Sequence, residues 1–470
     1  MSAARFFAAS FAGACLSAGC GGDYWLGGLP PGVAGTSAGG SLGLAGQSGG
    51  GTGGQALATS ELGADIVLTG DDMLELGGDG PCVIEGHGHS IRSISPWHGH
   101  VLLRDCTLIG LGSEQAPSIE LAMDEMAWTK IEGCTFDGSG RVWLENNFDS
   151  TSAFTGNTIL DSALLAEPPL RDDALPIFAA EGWDGTGQKT FQGNKIFKGF
   201  LDFGKTTHWL IGGSSDSESN IIVGRRGGIV LYGSDFVVRG NYVHDVFVTS
   251  PDSPLGNQES ALSVVYETTD VLVEHNLFRK GHWVVRGITG EFRYNAVIDP
   301  GGSGWLQQPF ENTKVHHNLF LTYAYPGEEQ GVPAAETAVD SGLSLVNFRT
   351  TGIEVYANTF DGGGALRRFV GPALSIDSSS FLDSLRSNVF MCFPFELGGT
   401  SGAAIRAPLG EDSGPAPARL GYADYNLFFN PDAAAGSRNY ALSVSGLTER
   451  ADAGFGLNDA RPGGPIDEQV

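Results

Sequence analysis

A chain of 470 residues with a net charge of −27 and 27 Lys and Arg against 54 Asp and Glu repels the phosphate backbone, which excludes nucleic acid as a partner. Only 17% of its residues are charged and 71 are glycine, and no useful stretch repeats with the 3.6-residue period of a helix, which excludes a helical bundle. No run of 18 or more uninterrupted apolar residues occurs, so no spanning helix is predicted.

Residues 1–20 carry a single Arg5, a short apolar run and small residues before Cys20, the pattern of a secretory signal. Leu16-Ser17-Ala18-Gly19-Cys20 resembles a bacterial lipobox, which implies lipidation of Cys20 and a protein exported and lipid-anchored to the bacterial cell envelope, at the outer membrane or cell surface. Removing residues 1–19 takes away only Arg5 and leaves −28. Residues 21–56, with Gly49-Gly-Gly-Thr-Gly-Gly54, read as a flexible tether. The only membrane contact expected is through the lipid.

From residue 57 to about 430 a short phrase ending in Asn-x-Phe/Val/Ile returns. It is clearest at Phe236-Val-Val-Arg-Gly-Asn241-Tyr-Val243, Val271-Leu-Val-Glu-His-Asn276-Leu-Phe278, Phe292-Arg-Tyr-Asn295-Ala-Val297, Val315-His-His-Asn318-Leu-Phe320 and Ile353-Glu-Val-Tyr-Ala-Asn358-Thr-Phe360. A unit this small cannot bury its own apolar face, so it stacks on its neighbours as a solenoid of one elongated domain. Strand alternation points Val238, Val273, Phe292, Val315 and Val355 inward, together with Val243, Phe278, Val297, Phe320 and Phe360. The rows Arg239, Glu274, Arg293, His316, Tyr356 and Val237, Leu272, Glu291, Lys314, Glu354 point outward, and opposite charges meet along both. Buried asparagine at each corner can donate to one rung and accept from the next.

These residues resemble the right-handed parallel β-helix of the pectate-lyase-like superfamily, with its inward asparagine ladder. The fold class expected is therefore all-β, a right-handed parallel β-helix solenoid. Cys106 and Cys134 take the ladder position in early coils, with Leu103 and Ile131 inward before them and Leu108 and Phe136 inward after. They are expected on adjacent rungs, either as a disulfide or, by a small margin, as two stacked thiols. The ladder continues through Asn157, Asn194, Asn220, Asn388 and Asn426, and residues 431–470 read as a cap or loose tail.

Ladder spacings of 21, 19 and 23 residues follow Asn220, Asn276 and Asn295, each about one bare coil; spacings of 30 to 40 residues follow Asn157, Asn241, Asn318, Asn358 and Asn388 and carry insertions after the corner. Insertions at one point of successive coils leave on one side and wall a groove, with the uninserted coils 276–318 as its floor. Matching the floor strands to Gly342-Leu-Ser-Leu-Val346 puts Leu262, Trp283, Trp305 and Leu343 inside and His282 and Arg286 outside. Residues 276–318 carry five Lys or Arg against three acids in this acidic chain. The groove suits an acidic polysaccharide: Arg286 would hold a uronate carboxylate, His282 or Lys280 would act as base, and Glu259 and Glu267 would offer oxygen ligands to Ca2+. The adjacent His316 and His317, alternating on a strand, are expected to face opposite ways as a satisfied polar pair.

Lys280 and Arg286 resemble the Lys and Arg that calcium-assisted alginate and chondroitin lyases place on neighbouring coils, whereas the signature runs of polygalacturonase-like glycosidases and of pectate lyases are absent. Two functions follow, a monomeric surface enzyme that binds and cleaves an acidic polysaccharide, lyase-like, or a non-catalytic glycan-binding or adhesive protein on the same scaffold.

Overall fold

The computed structural model describes residues 60–443 apart from 114–115, 125, 146–151, 161–175, 183–186, 198, 224–226, 245, 247–259, 266–267, 280–281, 286–288, 299–303, 307–311, 322–342, 346–351, 362–372, 377–381, 392–402, 407–419 and 430–439. The leader, Cys20, the tether and residues 444–470 thus fall outside the described residues.

Short strands alternate in sequence but not in partner. Each pairs in parallel with the equivalent strand of the coil before and the coil after, so the described chain is a parallel β-helix with three sheets along its axis. One coil shows the plan: Ser260–Val264 lies in a first sheet, Thr269–Glu274 in a second and Leu277–Arg279 in a third. The next coil supplies His282–Val285, Gly290–Arg293 and Ala296–Ile298 to the same three sheets.

The second sheet keeps the register that the repeated phrase implies. Val238 pairs with Val273, Val273 with Phe292, Phe292 with Val315 and Val315 with Val355, and all five are buried. In the third sheet Phe320, Phe360 and Phe390 stack with ring centroids 4.8 and 5.0 Å apart and nearly parallel planes, the spacing of the rungs themselves. One stretch of the interior is filled by Phe154, Phe178, Phe191, Phe203 and Trp209, which meet at angles from stacked to edge-on.

Between the second and third sheets the chain turns in one residue with positive φ, placed just before the ladder. Asp105, Gly133, Gly156, Gly193, Gly240, His275, Tyr294, His317, Ala357, Ser387 and Tyr425 all take this conformation. At Gly240 nothing larger fits, because a Cβ would collide with the Gly213 carbonyl oxygen.

The ladder is continuous from Cys134 to Asn426. The amide oxygens accept from the backbone N–H of the preceding rung, as in Cys134 N to Asn157 Oδ1 (2.8 Å), Asn241 N to Asn276 Oδ1 (2.9 Å) and Asn388 N to Asn426 Oδ1 (3.0 Å), except that Asn241 Oδ1 accepts from Asn220 Nδ2 (2.8 Å). Each Nδ2 reaches back to a carbonyl of an earlier coil, so Asn276 donates to Val238 O at 2.9 Å. This satisfies buried backbone groups that a tight corner would otherwise strand.

The early cysteines are only partly as the pattern implies. Leu103 pairs with Ile131, Arg104 with Glu132 and Leu108 with Phe136, so Cys106 and Cys134 do stand on neighbouring rungs, and the Cys106 N–H donates to Cys134 Sγ at 3.4 Å. The disulfide, however, joins Cys106 to Cys82 on the other side, and Cys134 is a buried free thiol. Cys82 was not recognised as a ladder residue because Gly77 to Cys82 interrupts the register, hiding the alternation that aligns Ile84 with Leu108. Burial pushes the Cys134 thiol up to about 11, which makes it a poor nucleophile. Unreduced protein should therefore give one crosslinked peptide containing Cys82 and Cys106, with Cys134 alkylated only after unfolding; a Cys106–Cys134 peptide in the digest would contradict this arrangement.

Several of the long connections share one corner. Residues 161–177 separate the third-sheet strand Thr158–Leu160 from the first-sheet strand Phe178–Ala180; residues 245–259 and 322–342 likewise join third-sheet strands to Ser260–Val264 and Leu343–Leu345. They all lie where the chain passes from the third sheet to the first. A further first-sheet strand, Tyr440–Ser443, pairs with Ala403–Arg406 and adds a rung beyond the last ladder asparagine.

Candidate functional site

Connections of variable length also follow the first-sheet strands, so this sheet is the one bounded by insertions at both ends. Its central outward row can be followed by pairing: Arg92, Glu120, Trp143, Ala179, Asp202, Val230 and Ser263. In backbone pairing alone the register continues through Val284, Trp305 and Ser344. That corrects one expectation. Trp305 pairs with Val284 and Ser344, and Gly304 pairs with Leu343, so Trp305 does not share the row of Leu262 and Trp283. A three-residue strand without alternation does not fix its own register, and a slip of one residue changes the row.

Of the residues singled out from sequence, Lys280, Arg286, Glu259 and Glu267 lie outside the described residues. His282 opens the strand His282–Val285 and pairs with Ser260, which places its backbone on the first sheet; its side chain is not among the described ones. His316 and His317 do not face apart. His317 has φ 54°, which ends the strand alternation, and the two Nδ1 atoms lie 2.8 Å apart in a hydrogen bond. His316 Nε2 also contacts Glu291 Oε1 at 2.8 Å, so the pair is satisfied within the fold.

The outward rows of the second sheet are similarly closed on themselves. Glu274 is buried between Arg239 and Arg293, Arg293 also binds Glu291 (2.8 Å), and Arg386 lies over the Tyr356 ring at 4.4 Å while binding Glu354. His275 stacks on Tyr294 and His316 on Tyr356, so faces of these rings are covered by one another. These rows stabilise the stack and leave few free groups for a ligand. On the third sheet Glu61, Glu85 and His87 bring ligand atoms within 4.8 Å of one another.

The first sheet differs. Arg141 and Trp143 come from the start of the strand Val142–Glu145, Glu181 follows Phe178–Ala180, and Asp202 lies in Leu201–Thr207. Alternation with buried Val142, Leu144, Phe178, Leu201 and Phe203 turns Trp143 and Asp202 to the outer face, two rungs or about 9.5 Å apart. The Arg141 guanidinium sits over the Trp143 ring at 4.2 Å. It feels the charges of Glu120 and Glu181, and burial lowers its pKa, yet it forms no ion pair among the described residues. Arg92, Arg104, Arg239, Arg293 and Arg386 each have one. The indole Nε1 of Trp143 is buried with no hydrogen-bond partner among the described residues.

Asp202 and Glu181 both lie beside Gly204, where a Cβ would come 3.3 Å from Asp202 Oδ1 and 3.9 Å from Glu181 Cγ. Burial, with the charge of Glu181 added, raises Asp202 from 3.8 to about 6. No described residue donates a hydrogen bond to it. A guanidinium on an indole, an indole N–H without a partner among the described residues and two neighbouring carboxyls form a set that can hold a polar ring.

Sequence reading missed this cluster. The 37-residue spacing from Asn157 to Asn194 reads as one coil with an insertion after the corner, and Phe178–Ala180 within it is a first-sheet strand. Aligning Val142-Trp143, Phe178-Ala179 and Leu201-Asp202 would have placed Trp143 and Asp202 in one row.

Fold and site together define a parallel β-helix protein with a polar, aromatic outer face on its first sheet. A scan against protein-family models and a search of curated proteins give no match for the chain.

Proposed function

We propose that this is an exported protein, anchored through Cys20, that binds an acidic polysaccharide along the outward face of the first sheet. The observation that carries the reading is Arg141, stacked on Trp143 and without an ion pair among the described residues, beside an indole N–H that lacks a partner. An unpaired guanidinium fits a uronate carboxylate, and an indole that is partly exposed fits the apolar face of a sugar ring. Insertions lie in sequence on both sides of the same strands, and the backbone pairing of His282 with Ser260 carries the sheet into the coils 276–318. Elimination by Lys280, His282 and Arg286, with Ca2+ at Glu259 and Glu267, belongs to this proposal as the chemistry that the coils 276–318 would add.

The test uses the full chain expressed with its leader in a bacterium, and the Cys20→Ser form for solution work. The parent should partition with membranes and Cys20→Ser should not; equal partition would remove the anchor. Binding to alginate, pectate and chondroitin oligosaccharides is then measured by calorimetry. Arg141→Ala should weaken binding by about tenfold to a hundredfold, the range of a lost charge-assisted hydrogen bond, while Arg386→Ala on the second sheet should leave it unchanged. Equal weakening by both, or no binding to any member of the panel, would defeat the proposal.

A further inference from the structure

The first coils hold four of the ten histidines, in the runs His87-Gly-His89 and His98-Gly-His100, and each lies beside a carboxylate. Among the described residues, only around His87 do three ligand atoms gather: those of Glu61, Glu85 and His87 lie within 4.8 Å of one another. The fold places them. Glu61 and Glu85 are partners in the parallel pairing of Ser60–Glu61 with the end of Met73–Glu85. Glu85 and His87 flank Gly86, which is buried so closely that a Cβ would lie 2.6 Å from Leu111 Cα, and alternation then turns both neighbours to the outer side. Like charges directly opposite on neighbouring strands destabilise a sheet. Elsewhere the rows avoid this, as Arg104 meets Glu132 and Arg239 meets Glu274, but neither Glu61 nor Glu85 has a Lys or Arg partner among the described residues.

We propose that Glu61, Glu85 and His87 bind one Zn2+, which fastens the leading strand Ser60–Glu61 to the coil behind it. The site shares no residue with the glycan-binding reading and stands apart from it.

The geometry and the donor set suit that ion. A tetrahedral Zn2+ keeps nitrogen and oxygen ligands about 2.0–2.2 Å away, and therefore about 3.3 Å from one another. His87 Nε2 and Glu85 Oε2 are 3.7 Å apart, close to that spacing, and rotation about the glutamate side-chain bonds closes the rest. One imidazole with two carboxylates selects zinc among the redox-inert divalent ions, because Ca2+ and Mg2+ favour oxygen ligands throughout. His87 is exposed, so the fourth position goes to water. The ion turns the repulsion of two glutamates into attraction to a common centre, and the net charge of −27 draws cations toward the chain. The strand it fastens is two residues long and follows the Gly-rich stretch read as a tether, so the metal adds a tie where that stretch ends.

The Cys20→Ser protein, stripped of metal with a chelator and dialysed, is titrated with zinc chloride by calorimetry. His87→Ala and Glu85→Gln should each weaken zinc binding by at least about tenfold, the least that even the partners of metal ligands cost when removed. Glu85→Gln keeps the shape of the side chain and so tests the ligand without disturbing the fold. His98→Ala, which breaks a histidine and carboxylate pair of 3.4 Å with Asp124, should leave zinc binding unchanged. The fastening is read separately at the amide of Leu62, which donates to Glu85 O at 2.9 Å. With free zinc at about a hundred times its Kd, hydrogen exchange at Leu62 should slow about a hundredfold in the parent and stay unchanged in His87→Ala. Calcium chloride at the same concentration should give no such protection. Equal zinc affinity in the parent and His87→Ala would put the ion elsewhere, and equal protection by calcium would reduce the effect to charge screening of two glutamates; either result overturns the proposal. So does zinc that binds and leaves exchange at Leu62 unchanged, since such an ion does not hold the strand.

Discussion

Asn276→Leu should destabilise the protein by on the order of 3–5 kcal/mol, since several buried groups lose partners at once and each costs about 1–3 kcal/mol. The Asn276 Nδ2 donates to Val238 O (2.9 Å), Glu274 O (3.0 Å) and Asn295 Oδ1 (3.0 Å), and its Oδ1 accepts from Asn241 N (2.9 Å) and Asn241 Nδ2 (2.8 Å). Leucine has nearly the same shape and fills the space, so the loss comes from polar groups left unpaired rather than from a cavity. A solenoid is held by nearest-neighbour interfaces, so the damage is local first. Amide exchange should lose protection in the coils of Asn241 and Asn295 before the ends respond, and the urea midpoint should fall. A change below about 1 kcal/mol would mean that the ladder amides are replaceable by water.

Glu274→Leu should cost about 3 kcal/mol, the lower end for breaking a buried ion pair, because the two arginines left behind are partly exposed and can turn to solvent. The carboxylate is buried between Arg239 and Arg293, one coil on either side of it. Burial pulls its pKa up, but the hydrogen bonds and charges of Arg293 and Arg239 outweigh that and hold it below the usual glutamate value. A depressed folded pKa stabilises above the unfolded value, near pH 4.5, and the contribution is lost as pH falls through the folded pKa. The gap in urea stability between the parent and Glu274→Leu should therefore be full at pH 7 and shrink steadily below pH 4.5. A gap independent of pH would assign Glu274 a packing role alone.

Much of the architecture follows from the chain itself, because a repeat of period two ending in a corner asparagine has one arrangement that buries every apolar position. The pairing of Val238, Val273, Phe292, Val315 and Val355, the alternating charges of Arg239, Glu274 and Arg293, and the ladder from Cys134 to Asn426 are all legible as rows. Where the alternation breaks, legibility ends. The gap between Gly77 and Cys82 hid the true partner of Cys106, the positive φ of His317 turned it toward His316, and the three-residue strand Gly304–Leu306 took a register its sequence does not specify. The first-sheet cluster is of the same kind. Arg141, Trp143, Glu181 and Asp202 span some 60 positions of sequence and share no motif, and only the pairing of Val142–Glu145, Phe178–Ala180 and Leu201–Thr207 brings them onto one face. Local pattern determines which side chains point in and which point out, since that depends on neighbours two residues away. Which outward side chains meet depends on how many residues each coil spends between its sheets, and only the stacked structure settles that count.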